Sequence, residues 1–186
     1  SMRRLIHEAI IAGLDVRAGL QCAFGCVYEG HIAEDAVILA ASEMVTAGAK
    51  EINLADTTGM ATPVSIRHLV QRFRIEFPNV DVSLHLHDTR GLGLANLYSG
   101  FESGVRSFDV CTGGLGGCPF VKGAAGNVPT EDAVNLFDSI GVPTGIALPA
   151  LCEAVAFLEK TLDRSLPGRM HRVLAHQGRC AVDGPK

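Results

Sequence analysis

Four times along this chain a short run of apolar, often β-branched residues gives way to a longer stretch with helical spacing, and that repetition limits the possible folds more than any other feature. The runs at residues 14–21, 51–55, 80–87 and 105–111 read as strands. Between them, residues 33–47 are apolar on one face and stop at Gly48, residues 63–77 begin with a proline and stop before Pro78, and residues 92–103 stop at Gly104. Two more helices, over 130–140 and 148–162, follow the fourth strand. Strand-then-helix units in series require parallel strands joined by right-handed crossovers, hence an α/β fold with a largely parallel sheet. A (β/α)8 barrel takes about 250 residues and eight such units. Four units are half of one, and the amphipathic segment 3–12, running straight into the first strand, fits a chain cut in mid-pattern.

The 186 residues are 47% hydrophobic and 19% charged, enough for one sizeable core and not two. We therefore expect one domain over residues 1–174, followed by a polar, disordered tail over 175–186. The net charge is -4, and the basic residues Arg3, Arg4, Arg67, Arg72, Arg74, Arg169 and Arg172 are scattered, which leaves no electrostatic footprint for nucleic acid. No stretch approaches the roughly 18 apolar residues of a membrane span. A small-molecule substrate is the remaining expectation. Six cysteines without a CxxC pair read as reduced thiols, with Cys111 a buried small side chain. The opening Ser1-Met2 resembles a tag-cleavage scar, so any targeting segment would lie upstream.

The densest chemistry lies at residues 84–89. Side chains two apart on a strand share a face, so His85 and His87 project together while Leu84 and Leu86 point the other way. Two imidazoles on one face can hold a divalent metal; alternatively one is a core histidine and the other lines the surface. Side chains at the C-terminal ends of parallel strands line active sites, which favours the metal. The loop Gly113-Gly114-Leu115-Gly116-Gly117-Cys118 follows the fourth strand and matches no nucleotide-binding pattern. Its Cys118 is either a proton donor, acceptor or nucleophile on a glycine-hinged loop, or a small residue filling space. Asn127 can complete a mixed nitrogen and oxygen metal sphere, with Glu131 orienting it or a histidine, while Thr130 caps the helix behind. Asp56, at the end of the second strand, is a carboxylate base or a turn former.

In order and spacing, His85-Leu86-His87-Asp88-Thr89, Gly91 to Asn96, Gly114 to Phe120, Gly126-Asn127 and Thr130-Glu131-Asp132 resemble hydroxymethylglutaryl-CoA lyases. Cys26-Val27-Tyr28-Glu29-Gly30 and Asp56-Thr57-Thr58-Gly59 match as well. The resemblance implies a (β/α)8 barrel of which this chain holds strands five to eight and the C-terminal helices. It implies Mg2+ or Mn2+ on His85, His87, Asn127 and an aspartate of the first barrel strand. It further implies cleavage of 3-hydroxy-3-methylglutaryl-CoA to acetyl-CoA and acetoacetate, with Asp56 or His85 as base and Cys118 as acid. An Arg-Asp pair expected on the first strand has no counterpart here, so the chain alone should be inactive. Half a barrel should also leave apolar edges and interior positions open and self-associate as a homo-oligomer, a dimer or higher. The location implied is the cytoplasm of a bacterium or the mitochondrial matrix of a eukaryote. Two other readings stand: a related aldolase, acyl-CoA lyase or synthase with another substrate, and a non-catalytic dimerising fragment.

Overall fold

The computed structural model describes residues 2–117, 121, 123 and 125–178. The elements run α1 (Met2–Ile11), β1 (Arg17–Leu20), α2 (Glu34–Thr46), β2 (Glu51–Ala55), α3 (Pro63–Glu76), β3 (Asp81–His85), α4 (Gly93–Glu102), β4 (Ser107–Asp109), α5 (Thr130–Ser139), α6 (Leu148–Leu162) and α7 (Met170–His176). The strands form one sheet in the order β1-β2-β3-β4, every pair parallel, as the alternating pattern requires.

The register explains the two faces of the sheet. Ala18, Ile52 and Val82 stand side by side, and Leu20, Leu54, Leu84 and Phe108 form the next row. This face meets Ile66, Leu69, Val70 and Phe73 of α3 and Leu97 of α4, all of them buried, and carries the core. The opposite face bears Arg17, Glu51, Asn53, Ser83, His85 and Asp109. That corrects the expectation of apolar interior positions: alternation gives the helices one apolar face and leaves a polar one, joined by hydrogen bonds from Asn53 to Ser83 Oγ (2.9 Å) and Asp109 Oδ2 (3.3 Å).

Strand ends are shorter than the sequence pattern suggests. β1 and β4 each pair on one side only among the described residues, so the ladders stop where β2 and β3 cease to supply partners. Helix limits follow the punctuation more closely. Thr62 Oγ1 accepts from Ser65 N (3.2 Å), Ser65 Oγ accepts from Thr62 N (2.9 Å), and Pro63 opens α3. Replacing Thr62 by alanine should cost about 1 kcal/mol of stability in a denaturant titration; no change would show that α3 is held by packing alone. Thr130, in contrast, does not cap α5. Pro129 occupies the cap position with no side-chain bond, and Thr130 is the first helical residue, its N–H donating to Cys111 O (3.0 Å). Cys111 is half-buried, not buried.

One element was absent from the sequence pattern. α7 covers residues 170–176, so Ala175 and His176, at the head of the expected tail, are helical. Gln177 and Gly178 form the turn that ends α7, and residues 179–186 lie outside the described residues. Among the described residues no helix is long and apolar enough to cross a membrane.

Candidate functional site

The C-terminal ends of β2, β3 and β4, with the segments after them, bring most of the expected residues together. His85 Nε2 and His87 Nε2 lie 3.2 Å apart. The strand period aims both rings to one side while Leu84 and Leu86 are sealed in the core on the other. Residues 126–128 return alongside this strand end, through Asp88 N to Gly126 O (2.9 Å), Val128 N to Leu86 O (3.1 Å) and a bridge between His87 and Asn127. Asn127 Nδ2 donates to Leu115 O (2.7 Å), which fixes the amide and leaves Oδ1 buried without a hydrogen bond. Burial, and secondarily the nearby His85, holds the His87 imidazole below its ordinary pKa, with the Asn127 contact opposing. A neutral imidazole is the ligating form.

Two convergent Nε2 atoms and an orphaned amide oxygen fit part of the sphere of a divalent ion that accepts nitrogen and oxygen ligands. Among the described residues no three His, Cys, Asp or Glu side chains gather into a metal-holding cluster, so these three groups are the whole contribution seen.

Asp109 was not singled out by the sequence, although it ends a strand on the same rim. Its Oδ2 stands 3.7 Å from His85 Nδ1, and both carboxylate oxygens are held by Arg17, at 2.8 and 2.9 Å. A carboxylate behind the far nitrogen of a ligating imidazole fixes ring orientation. The signal was available: Asp109 pairs in register with His85 and Ala55, on one face.

Asp56 is fully buried and acts on its own loop. Oδ1 accepts from Met60 N (2.7 Å) and Ala61 N (3.0 Å), while Oδ2 has no hydrogen bond. Burial pushes this carboxyl up to about 6, against the pull of the Ala61 and Met60 amides and of Arg90. Arg90 also braces the turn by donating to Thr58 O (2.7 Å) and Gly59 O (2.8 Å).

Of the two expected contacts, Asn127 or a histidine, Glu131 makes the second, and that histidine is His171, not one of the pair. Its carboxyl has no exposed surface; Oε2 accepts from Gly113 N (3.0 Å), and Oε1 faces His171 Nδ1 at 3.5 Å. Burial raises its pKa, with Gly113 and His171 opposing. The reason lies in the turn at Thr112–Gly114, which brings the Gly113 amide over the start of α5; its φ of 67° suits glycine. Cys118 lies outside the described residues.

Paired imidazoles on the strand ends of a parallel sheet define an α/β fold whose site is built at the strand C-termini. The HMGL-like family model matches residues 4–158, and the chain belongs to that family. It is 46% identical over 155 residues to (R)-citramalyl-CoA lyase of Chloroflexus aurantiacus, covering 83% of this chain and 49% of the relative. The crystal structure of the Bacillus subtilis HMG-CoA lyase superposes with a TM-score of 0.89 at 34% identity, over 94% of this chain and 58% of that one. An HMG-CoA lyase from Acinetobacter baumannii, solved with coenzyme A and 3-methylmalate, gives 0.84 at 37% identity, over 99% and 59%. The chain thus spans about half the length of the relatives it matches.

Proposed function

We propose that this chain supplies strands five to eight of a (β/α)8 barrel that cleaves a 3-hydroxy-3-methylacyl-CoA, with 3-hydroxy-3-methylglutaryl-CoA as substrate. The reading is carried by the 3.2 Å approach of His85 Nε2 to His87 Nε2 beside the unpartnered Oδ1 of Asn127. These three groups would hold Mg2+ or Mn2+. When bound, such an ion supplies a Lewis acid for the substrate's hydroxyl and carboxylate oxygens.

The base that takes the hydroxyl proton is not His85, whose Nε2 would hold the ion and whose Nδ1 faces Asp109 Oδ2 at 3.7 Å. Asp56, which is enclosed, holds the turn beside it. Loss of that proton lets the C–O electrons close into a carbonyl as the adjacent carbon–carbon bond breaks, and the released pair becomes the enolate of acetyl-CoA. Cys118 returns a proton to that carbon, a role resting on sequence alone. The Arg-Asp pair of the first barrel strand comes from the other half of the barrel. Open sheet edges at β1 and β4 favour self-association.

The 46% identity to a citramalyl-CoA lyase supports a second substrate, one methylene shorter, whose cleavage releases pyruvate instead of acetoacetate. Both substrates should be offered, with Mg2+, to this chain alone and to the chain joined to the N-terminal half of the Bacillus subtilis relative. Acetoacetate from the joined protein only is expected. Pyruvate would move the assignment to the second substrate, and turnover of neither would leave a non-catalytic dimerising fragment or another acyl-CoA.

A further inference from the structure

We infer that His171, in α7, is a positioning residue of the metal site: it orients the buried Glu131, which holds the glycine turn on which Asn127 is hung. The inference rests on the site reading above. Glu131 is sealed from solvent, and Gly113 N–H satisfies only its Oε2. Oε1 has no hydrogen bond, and a buried carboxyl oxygen left so is costly. His171 Nδ1, likewise buried without a hydrogen bond, lies 3.5 Å from it, so the two unsatisfied atoms face one another.

The imidazole, itself 4% exposed, is fixed from its other side, with Nε2 3.3 Å from Glu159 Oε1 of α6. That carboxylate oxygen also accepts from Leu166 N (2.7 Å). Gly168 crosses so close above Glu131 that a Cβ there would run into Oε1. Leu166 packs on Gly113 and Pro167 on Gly114, clamping the turn from outside. Two residues beyond Gly113, Leu115 O accepts from Asn127 Nδ2 (2.7 Å), which fixes the amide whose Oδ1 has no hydrogen bond. The contacts therefore run from His171 through Glu131 and the glycine turn to Asn127.

The docking of this segment does not depend on the imidazole. Asp132 accepts from Arg169 N (2.9 Å) and Met170 N (2.8 Å), which staples residues 169–170 to the first turn of α5. A substitution at His171 can thus change the orientation of Glu131 while α7 stays in place.

Two near-isosteres separate positioning from support. His171→Asn keeps an amide, able to donate or accept, where Nδ1 stands and loses the Glu159 contact; His171→Gln keeps one where Nε2 stands and loses the Glu131 contact. Mn2+ affinity is measured by electron paramagnetic resonance, and the Gly113 amide is followed by nitrogen-15 NMR. We expect H171Q to weaken Mn2+ about tenfold and to shift the Gly113 signal, with H171N within about twofold of the parent in affinity and unshifted. Equal losses in both variants, tracking thermal stability, would overturn the inference, as would no change in either or loss of fold in either. If the parent chain binds no Mn2+, the site reading fails while the Gly113 signal alone still decides the role of His171.

Discussion

Replacing His87 by alanine is expected to lower the Mn2+ affinity of this chain about a hundredfold while leaving it folded. Removal of a residue behind a metal ligand typically costs ten- to a hundredfold, and a direct ligand belongs at the top of that range. His87 is 6% exposed, bridged to Asn127 and held close to its neutral form by burial, so no nearby side chain can move in to replace it. The imidazole lies on the polar face, away from the core against which Leu84 and Leu86 pack, and the fold should tolerate the smaller side chain. Calorimetric titration of the parent, H87A and, as a control, His68→Ala on the exposed face of α3 tests this. Unchanged affinity in H87A, or an equal loss in H68A, would remove the paired imidazoles from the site.

The second large effect concerns pH. Asp56 carries a folded-state pKa of about 6 against an ordinary value of 3.8, chiefly from burial. Below about pH 4 folded and unfolded chains are both protonated at this residue, and its contribution is complete. Between about 4 and 6 the folded chain retains a proton that the unfolded chain has released, so stability falls as pH rises through this window and levels off above it. A shift of this size corresponds to about 3 kcal/mol. Asp56→Asn keeps an acceptor for Met60 and Ala61 and carries no charge, so the stability difference should move by about 2.4 kcal/mol in the variant's favour between pH 4 and pH 7. Urea titrations at the two pH values measure it. A difference that does not vary with pH would mean that the carboxyl titrates normally.

The parts of this molecule that could be read from sequence are those whose cause is local. The alternation at residues 80–87 separated His85 and His87 from Leu84 and Leu86 because a strand enforces that period whatever surrounds it. Pro63 and Pro78 bounded α3 because each constrains its own backbone. The rest depended on pieces distant in the chain. Glu131 was expected to orient Asn127 or a histidine; the histidine it meets is His171, 40 positions on in a seven-residue helix that begins without a side-chain cap and that no local pattern announced. The polar character of the second sheet face became visible only once register set Asn53 beside Ser83 and brought Asp109 within reach. Asp56 illustrates an intermediate case: a base and a turn former were both open, and Oδ1 is committed to the turn because two amides of the next residues converge on it.

The clasp of Arg17 on Asp109 sets the shape of the sheet. The two residues sit on the first and last strands, and Arg17 is in register with Asp81 while Asp109 is in register with His85, four residues further along β3. On a flat sheet with strands about 4.8 Å apart and a rise of about 3.3 Å per residue, their backbones would stand about 20 Å apart, farther than the two side chains can span. The contact at 2.8 Å therefore works as a bowstring: it requires four strands already bent and staggered into an arc. Curvature thus belongs to these four strands themselves, tied from first to last by one ion pair, and needs no further strand to impose it.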